Sequence, residues 1–230
     1  MNTIVEHLKE VHDRIATAAG ACGRREHDIQ LLAVSKTKPV ADIEAAYAAG
    51  QRQFGENYVQ EAVDKITALK TRCPEISWHL IGPLQSNKSR LVAEHFDWVQ
   101  TVDRLKIAQR LSDQRPVHMR PLNICLQVNV SGEASKSGLA PDEAESLAEQ
   151  VSALPGLCLR GLMTIPEDTG DEQRLGTQLL ELKQLFDRMA EKYPQLDTLS
   201  MGMSNDLELA VACGSTLVRV GTAIFGSRNP

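Results

Sequence analysis

Residues 31–39 read LLAVSKTKP and join an apolar run to a lysine. An uninterrupted apolar run of this length is typical of a strand that is covered on both faces of a parallel sheet. Lys36 comes at the end of the run, and Pro39 opens a helix after it. Ligands of α/β folds bind at the carboxyl ends of strands. Lys36 is therefore a candidate nucleophile for an aldehyde, and the alternative is a solvated lysine that merely closes the strand.

The pattern of a strand followed by a helix recurs along the chain. Strands are predicted at 31–35, 53–56, 78–81, 98–102, 122–130, 157–165, 198–201 and 217–220. Unbroken alternation implies parallel strands with right-handed crossovers, and eight such units close into a (β/α)8 TIM barrel. An open doubly wound sheet is the alternative, but no G-x-G-x-x-G turn follows any predicted strand. We expect one domain over residues 1–230, with an extra amphipathic N-terminal helix on the outside or bottom of the barrel.

Composition argues against several classes of protein. The net charge of −5, without a basic run, argues against a general nucleic-acid binder. No apolar stretch is long enough to cross a bilayer and no signal peptide is evident, so we expect a cytoplasmic protein. The five cysteines are widely spaced and the six histidines lack ligand spacing, so neither disulfides nor a metal site are predicted. No hydrophobic stripe is left over for an interface, which favours a monomer.

The turns after the last two predicted strands resemble a phosphate site in composition. Barrels recurrently bind phosphate after strands 7 and 8, at the start of a short helix. Ser204 follows the seventh strand, and Gly221 and Thr222 follow the eighth. Backbone N–H groups at a helix start, together with hydroxyl groups, would hold an anion. The alternatives are that Ser204 is only a helix N-cap and that Gly221 only makes a tight turn.

Arg219 lies between two valines in a strand that a barrel would bury. If its side chain points inward it needs a partner, because an unpaired buried charge is costly. A bound phosphate or an acceptor nitrogen on a ring would serve, and so would a carboxylate such as Glu56 at the end of the second strand.

Lys36 and the candidate anion site would face each other across one barrel mouth. A small phosphorylated aldehyde satisfies both, and pyridoxal 5′-phosphate (PLP) is such a compound, with Lys36 as its Schiff-base lysine. Lys38 lies two residues further along, and a second cation nearby would favour the neutral, nucleophilic form of the Lys36 amine.

Seven motifs occur in order along nearly the whole chain. They are LAVSKTKP (32–39), FGENYVQE (54–61), WHLIGPLQSNK (78–88), SKSG (135–138), RGLM (160–163), SMGMS (200–204) and VRVGTAIFG (218–226). In these motifs the chain resembles the YggS/PROSC family of pyridoxal phosphate homeostasis proteins. The resemblance implies a PLP-binding barrel like the N-terminal domain of alanine racemase.

The resemblance also implies roles for individual residues. Lys36 would hold PLP as a Schiff base, and Arg219 would meet either the ring nitrogen or the phosphate of the cofactor. The remaining residues implied at the cofactor are Asn57, Met201, Ser204, Gly221 and Thr222, of which the last three would lie at the phosphate.

The function implied by the resemblance is intracellular PLP (vitamin B6) homeostasis, in which the protein buffers the cofactor or delivers it to PLP-dependent apo-enzymes, with little or no catalysis. Alanine racemase-like enzymes add a C-terminal domain that supplies a tyrosine and closes the site, and no residues for such a domain follow Phe225 here. The first alternative is a racemase-like PLP enzyme completed by a partner or an oligomer. The second is a lysine-dependent aldolase that uses no cofactor.

Overall fold

The computed structural model describes residues 3–133, 136–167 and 169–227, and in these residues eight parallel strands close into a barrel in chain order. The strands are β1 (Gln30–Val34), β2 (Gln53–Glu56), β3 (Ser77–Leu80), β4 (Trp98–Val102), β5 (Leu122–Gln127), β6 (Leu157–Met163), β7 (Thr198–Ser200) and β8 (Leu217–Val220). The ring is closed by pairing of β1 with β8. The predicted (β/α)8 barrel is confirmed.

A layer of helices surrounds the barrel. The helices are α1 (Ile4–Ala21), α2 (Val40–Ala48), α3 (Val59–Leu69), α4 (Ser89–His95), α5 (Leu105–Gln114), α6 (Ala144–Ser152), α7 (Glu172–Lys192), α8 (Leu207–Ala212) and α9 (Thr222–Phe225). No helix in the described ranges is both long and apolar enough to span a membrane. Ser135, which opens the SKSG motif, lies outside the described residues.

The N-terminal helix packs on the outside of the barrel, in contact with α8, α9 and α2. Its buried face is formed by Leu8, Val11, Ile15, Ala18 and Ala19. Because α9 has only 4 residues, it is too short to cover the seam between β8 and β1. We infer that α1 takes the place of the eighth outer helix.

Two strands end at least two residues earlier than the sequence predicts. The predicted strand 122–130 ends at Gln127, because Asn129 turns the chain by accepting hydrogen bonds from the N–H and hydroxyl of Ser131. The predicted strand 157–165 ends at Met163, shortly before Pro166, which has no N–H to donate to a neighbouring strand.

Alternation along the strands decides which side chains face the barrel interior. On β1, Leu31 and Ala33 belong to the outer core beneath the helices, whereas Leu32 and Val34 join an interior cluster with Ile81 and Leu217. A parallel strand covered on both faces is expected to bury both sets of side chains. The interior cluster is therefore the apolar lining of the barrel near β1, β3 and β8.

Candidate functional site at the barrel rim

Lys36 lies in a tight turn at the carboxyl end of β1. Its side chain is half-buried, and the alternation that turns Leu32 and Val34 inward places position 36 on the interior side. The N–H of Lys38 donates to the carbonyl oxygen of Ser35 at 3.0 Å and closes the turn. Thr37 has a φ of 63°, a left-handed conformation that is unusual for a β-branched residue.

A buried ion cluster lies on the outer side of this turn. Lys65 Nζ on α3 donates to the carbonyl oxygen of Ser35 at 2.8 Å, to Glu56 Oε1 at 2.8 Å and to Glu61 Oε1 at 2.6 Å. The Ser35 hydroxyl also donates to Glu56 Oε1, at 2.6 Å. We call Ser35, Glu56, Glu61 and Lys65 the Lys65 cluster. Burial raises the pKa of the Glu56 carboxyl, and the Lys65 ammonium opposes that shift.

Arg219 points into the barrel and bonds to neutral oxygens. Its Nη1 donates to the Ser200 hydroxyl and its Nη2 to the Thr164 carbonyl oxygen, both at 2.7 Å. Burial lowers the pKa of the guanidinium to about 10. Glu56 is a candidate partner on sequence grounds, but it does not meet Arg219, because Glu56 shares the outward face of Phe54 and pairs with Lys65.

Hydrogen bonds continue from Arg219 across the barrel interior. The Ser200 hydroxyl donates to Gln100 Oε1 at 2.6 Å, and Gln100 Nε2 lies 3.0 Å from His79 Nδ1. Because the amide nitrogen can only donate, Nδ1 accepts and the imidazole proton resides on Nε2. His79 is fully buried and stacks on the Trp98 ring with centroids 5.0 Å apart. We call Arg219, Ser200, Gln100 and His79 the interior polar chain.

Of the three residues predicted at the phosphate, Gly221 and Thr222 lie beside the Lys36 turn. A Cβ at Gly221 would lie 3.2 Å from the Val34 carbonyl oxygen, so β8 passes very close to the end of β1. Thr222 begins α9 directly after Gly221. Ser204 lies in the turn between β7 and α8 and is not an N-cap, because Asp206 takes that position.

Asn57 and Met201, which are also predicted at the cofactor, lie in environments that differ from each other. Asn57 follows β2, and its Oδ1 is buried without a hydrogen-bond partner in the part of the chain that the structure describes. Met201 lies fully buried in the outer core, where its N–H donates to Leu217 and its carbonyl oxygen accepts from Ser215. The structure therefore does not bring the Met201 side chain to the barrel mouth.

Two concave regions lie at different places on the protein, one at the rim of the barrel and one on its outside. A cavity of about 180 Å³ opens at the rim, and its wall includes Ile81 of the interior cluster together with Thr101 and Gln127. A larger groove of about 630 Å³ lies on the outside between α1 and α8. The residues that line the smaller cavity include none of those predicted at the cofactor. Among the residues described, no group of His, Cys, Asp and Glu side chains is arranged to hold a metal ion.

Comparison with known proteins gives the family. Residues 7–229 match the family described as the N-terminal domain of alanine racemase. A pyridoxal phosphate homeostasis protein from Vibrio cholerae serotype O1 is 56% identical, over 100% of this chain and 98% of the relative. The one from Escherichia coli strain K12 is 54% identical over the same shares. The chain belongs to the pyridoxal phosphate homeostasis proteins of this family.

Solved structures agree with this assignment. PipY of Synechococcus elongatus PCC7942, determined with PLP bound, has a TM-score of 0.83 and 38% identity, over 97% of this chain and 100% of PipY. A protein of unknown function from Bifidobacterium adolescentis has a TM-score of 0.92 and 39% identity, over 96% of this chain and 94% of that one. Alanine racemase of Clostridium difficile 630 shares the fold, with a TM-score of 0.75 at 13% identity over 94% of this chain and 55% of the racemase.

Sequence reasoning missed Lys65, Gln100 and Ser200 as members of the two networks. Glu56 and Glu61 stand within the FGENYVQE motif, but the motif gives no indication of a lysine partner on the next helix turn. The available signal for Gln100 and Ser200 is a polar residue in a strand that the barrel buries, because such a residue must find a buried partner.

The protonation of His79 predicts a dependence of stability on pH. Burial lowers the pKa of the His79 imidazole from 6.5 to about 3, so between these values the unfolded chain binds a proton that the folded protein does not. Folding stability therefore falls as the pH falls below 6.5. We expect His79 to account for a loss of about 2 kcal/mol in the free energy of unfolding between pH 7 and pH 5.

Urea unfolding at the two pH values measures this loss. His79→Gln has no titrating ring at this position. Between pH 7 and pH 5 its free energy of unfolding should therefore fall by about 2 kcal/mol less than that of the wild type. His118→Gln, at an exposed position, is the matched control for replacing a histidine by glutamine. An unchanged dependence in His79→Gln would contradict the burial of a neutral imidazole.

Proposed function

We propose that this protein binds PLP at the barrel mouth through Lys36 and serves in intracellular PLP homeostasis, buffering the cofactor or delivering it. The observation that carries the proposal is the closure of β1 against β8, which places the Lys36 turn beside Gly221 and the start of α9. PLP supplies an aldehyde: the amine adds to the aldehyde carbon, a C=N bond forms and water leaves, and hydrolysis reverses the reaction.

The residues at the rim fit such a ligand. The N–H groups of Thr222 and Ala223 stand at the start of α9, where a helix has no internal acceptor for them, and they would hold the phosphate together with the Ser204 hydroxyl. The side chain at position 221 must be small because Val34 lies so close. The apolar interior cluster would lie against the ring, and the unsatisfied Asn57 Oδ1 would accept a hydrogen bond from the ligand.

The position of Arg219 favours the ring of PLP over the phosphate. Its guanidinium lies toward β6 and β7, where Thr164 and Ser200 hold it, and away from the seam where Gly221 meets β1. A protonated guanidinium donates hydrogen bonds and would leave a ring nitrogen unprotonated. An unprotonated ring withdraws electrons weakly. This supports a protein that holds PLP with little or no catalysis.

We further propose that the chain acts as a single-domain monomer in the cytoplasm, with PLP-dependent apo-enzymes as recipients of the cofactor. The names of the relatives support a role in homeostasis rather than in turnover of a substrate. Sustained racemisation of any amino acid by the purified protein, lost in Lys36→Ala, would contradict this proposal and favour a racemase-like enzyme.

Replacing Lys36 tests the attachment of PLP. The wild type incubated with PLP should show the absorption band of a protonated Schiff base, and Lys36→Ala should lose it because no amine remains at the end of β1. We expect the dissociation constant for PLP to rise at least about tenfold, or about 1.4 kcal/mol. Lys70→Ala, at the exposed end of α3, is the control and should behave as the wild type. A band of full intensity in Lys36→Ala would refute the assignment.

Replacing Arg219 tests its contact with the ring. Pyridoxal has the ring of PLP but lacks the phosphate. If Arg219 contacts the ring, Arg219→Met should weaken the binding of pyridoxal and of PLP by the same factor, about tenfold for a charged hydrogen bond. Absorption titration with each aldehyde measures the two dissociation constants. The half-buried Arg52, whose guanidinium lies over Tyr47, supplies the control variant Arg52→Met. Weakened binding of PLP alone would place Arg219 at the phosphate instead.

A further inference from the structure

We propose that Glu61, itself held by Lys65, is a positioning residue that locks the turn on which Lys36 stands. The proposal rests on the proposed function, because it assigns a purpose to the geometry of the Lys36 amine. It concerns the backbone on either side of Lys36 and does not require Glu61 to touch a ligand.

The conformation of the turn needs an external constraint. Thr37 is the only residue other than glycine with a positive φ among those described, and it follows Lys36 directly. A β-branched residue in this region carries a steric cost that the surroundings must offset. The Thr37 side chain is exposed, so its own packing does not explain the conformation.

Glu61 supplies the constraint on one side of Lys36. Its Oε1 accepts a hydrogen bond of 2.6 Å from the Thr37 N–H. The same oxygen accepts from Lys65 Nζ, also at 2.6 Å, one helix turn further along α3. Because Lys65 is buried and bonded to Glu56 as well, it fixes the Glu61 carboxylate in one place.

Lys65 supplies the constraint on the other side. Its ammonium donates to the carbonyl oxygen of Ser35, the residue before Lys36. The backbone groups immediately before and after Lys36 are thus tied to one ion pair on α3. A backbone held at both neighbours limits the directions in which the Lys36 side chain leaves the turn.

Substituting Glu61 rather than Lys65 separates an effect on the position of Lys36 from an effect on folding stability. The Glu61 side chain is 30% exposed, whereas that of Glu56 is fully buried. Removing Glu61 leaves Lys65 paired with Glu56 and Ser35, so the buried charge keeps its partners. Removing Lys65 would leave two carboxylates without their cation, and the loss of folding would obscure any effect on Lys36.

The test compares Glu61→Ala with Glu61→Gln. Alanine removes the acceptor of the Thr37 N–H, and glutamine retains an oxygen there. In Glu61→Ala we expect the ligand-free protein to exchange the Thr37 amide hydrogen at least tenfold faster, and the dissociation constant for PLP to rise about tenfold. Glu61→Gln should stay within about threefold of the wild type in both measurements. Asp64→Ala, an exposed position on the same helix, controls for changes in α3 itself.

A second substitution tests the mechanism. Glycine adopts a positive φ without steric cost. Adding Thr37→Gly to Glu61→Ala should therefore restore the PLP dissociation constant to within about threefold of the wild type. A merely structural or electrostatic role of Glu61 would give no such rescue.

Two results would overturn the proposal: unchanged amide exchange and PLP binding in Glu61→Ala, or weakened binding that Thr37→Gly does not restore. Absence of a Schiff base in the wild type would instead refute the proposed function. In that event the exchange rate of Thr37 in the ligand-free variants would still decide whether Glu61 locks the turn.

Discussion

The pairing of β1 with β8 is the constraint on which the rest of the site depends. Its register sets Leu32 opposite Arg219 and Ala33 opposite Val220. Because side chains alternate along a strand, this register directs Leu32 and Arg219 into the barrel and leaves Ala33 and Val220 in the outer core. A slip of one residue would direct the Arg219 guanidinium into the outer apolar core, where a charge without partners is costly. The same pairing brings Gly221, the residue after β8, beside Val34 at the end of β1, two residues before Lys36.

The barrel wall separates two buried cations that have opposite environments. Lys65, outside the wall, is neutralised by the carboxylates of Glu56 and Glu61. Arg219, inside the wall, bonds to a hydroxyl and a carbonyl oxygen and keeps its charge uncompensated by any salt bridge among the residues described. The first arrangement stabilises a backbone turn, and the second retains positive potential within the mouth. This division suits a mouth in which a cationic hydrogen-bond donor faces the interior and a lysine stands on a fixed turn at the edge.

Local sequence patterns were sufficient to predict the barrel, because apolar periodicity and turn residues are properties of short segments. They also place Lys36 at a strand end and Arg219 in a buried strand, but they leave open whether the Arg219 side chain points into the barrel. The Lys65 cluster could not be predicted in this way, since it joins α3 to the turn after β1 only through tertiary packing. The directions of Met201 and Glu56 could not be predicted from their motifs either. Each lies one residue from an inward-facing position, and the strand register turns its side chain outward. Ser204 was a candidate cap, but Asp206 stands at the helix start.

The most direct test of the account is to incubate the protein with one equivalent of PLP, reduce it with borohydride and map the modified peptide by mass spectrometry. Reduction converts a Schiff base into a stable secondary amine, so the label marks the lysine that held the cofactor. The account predicts one pyridoxyl phosphate group on Lys36. A label on another lysine, or none after reduction, would contradict the claim that the end of β1 is where this barrel holds its ligand.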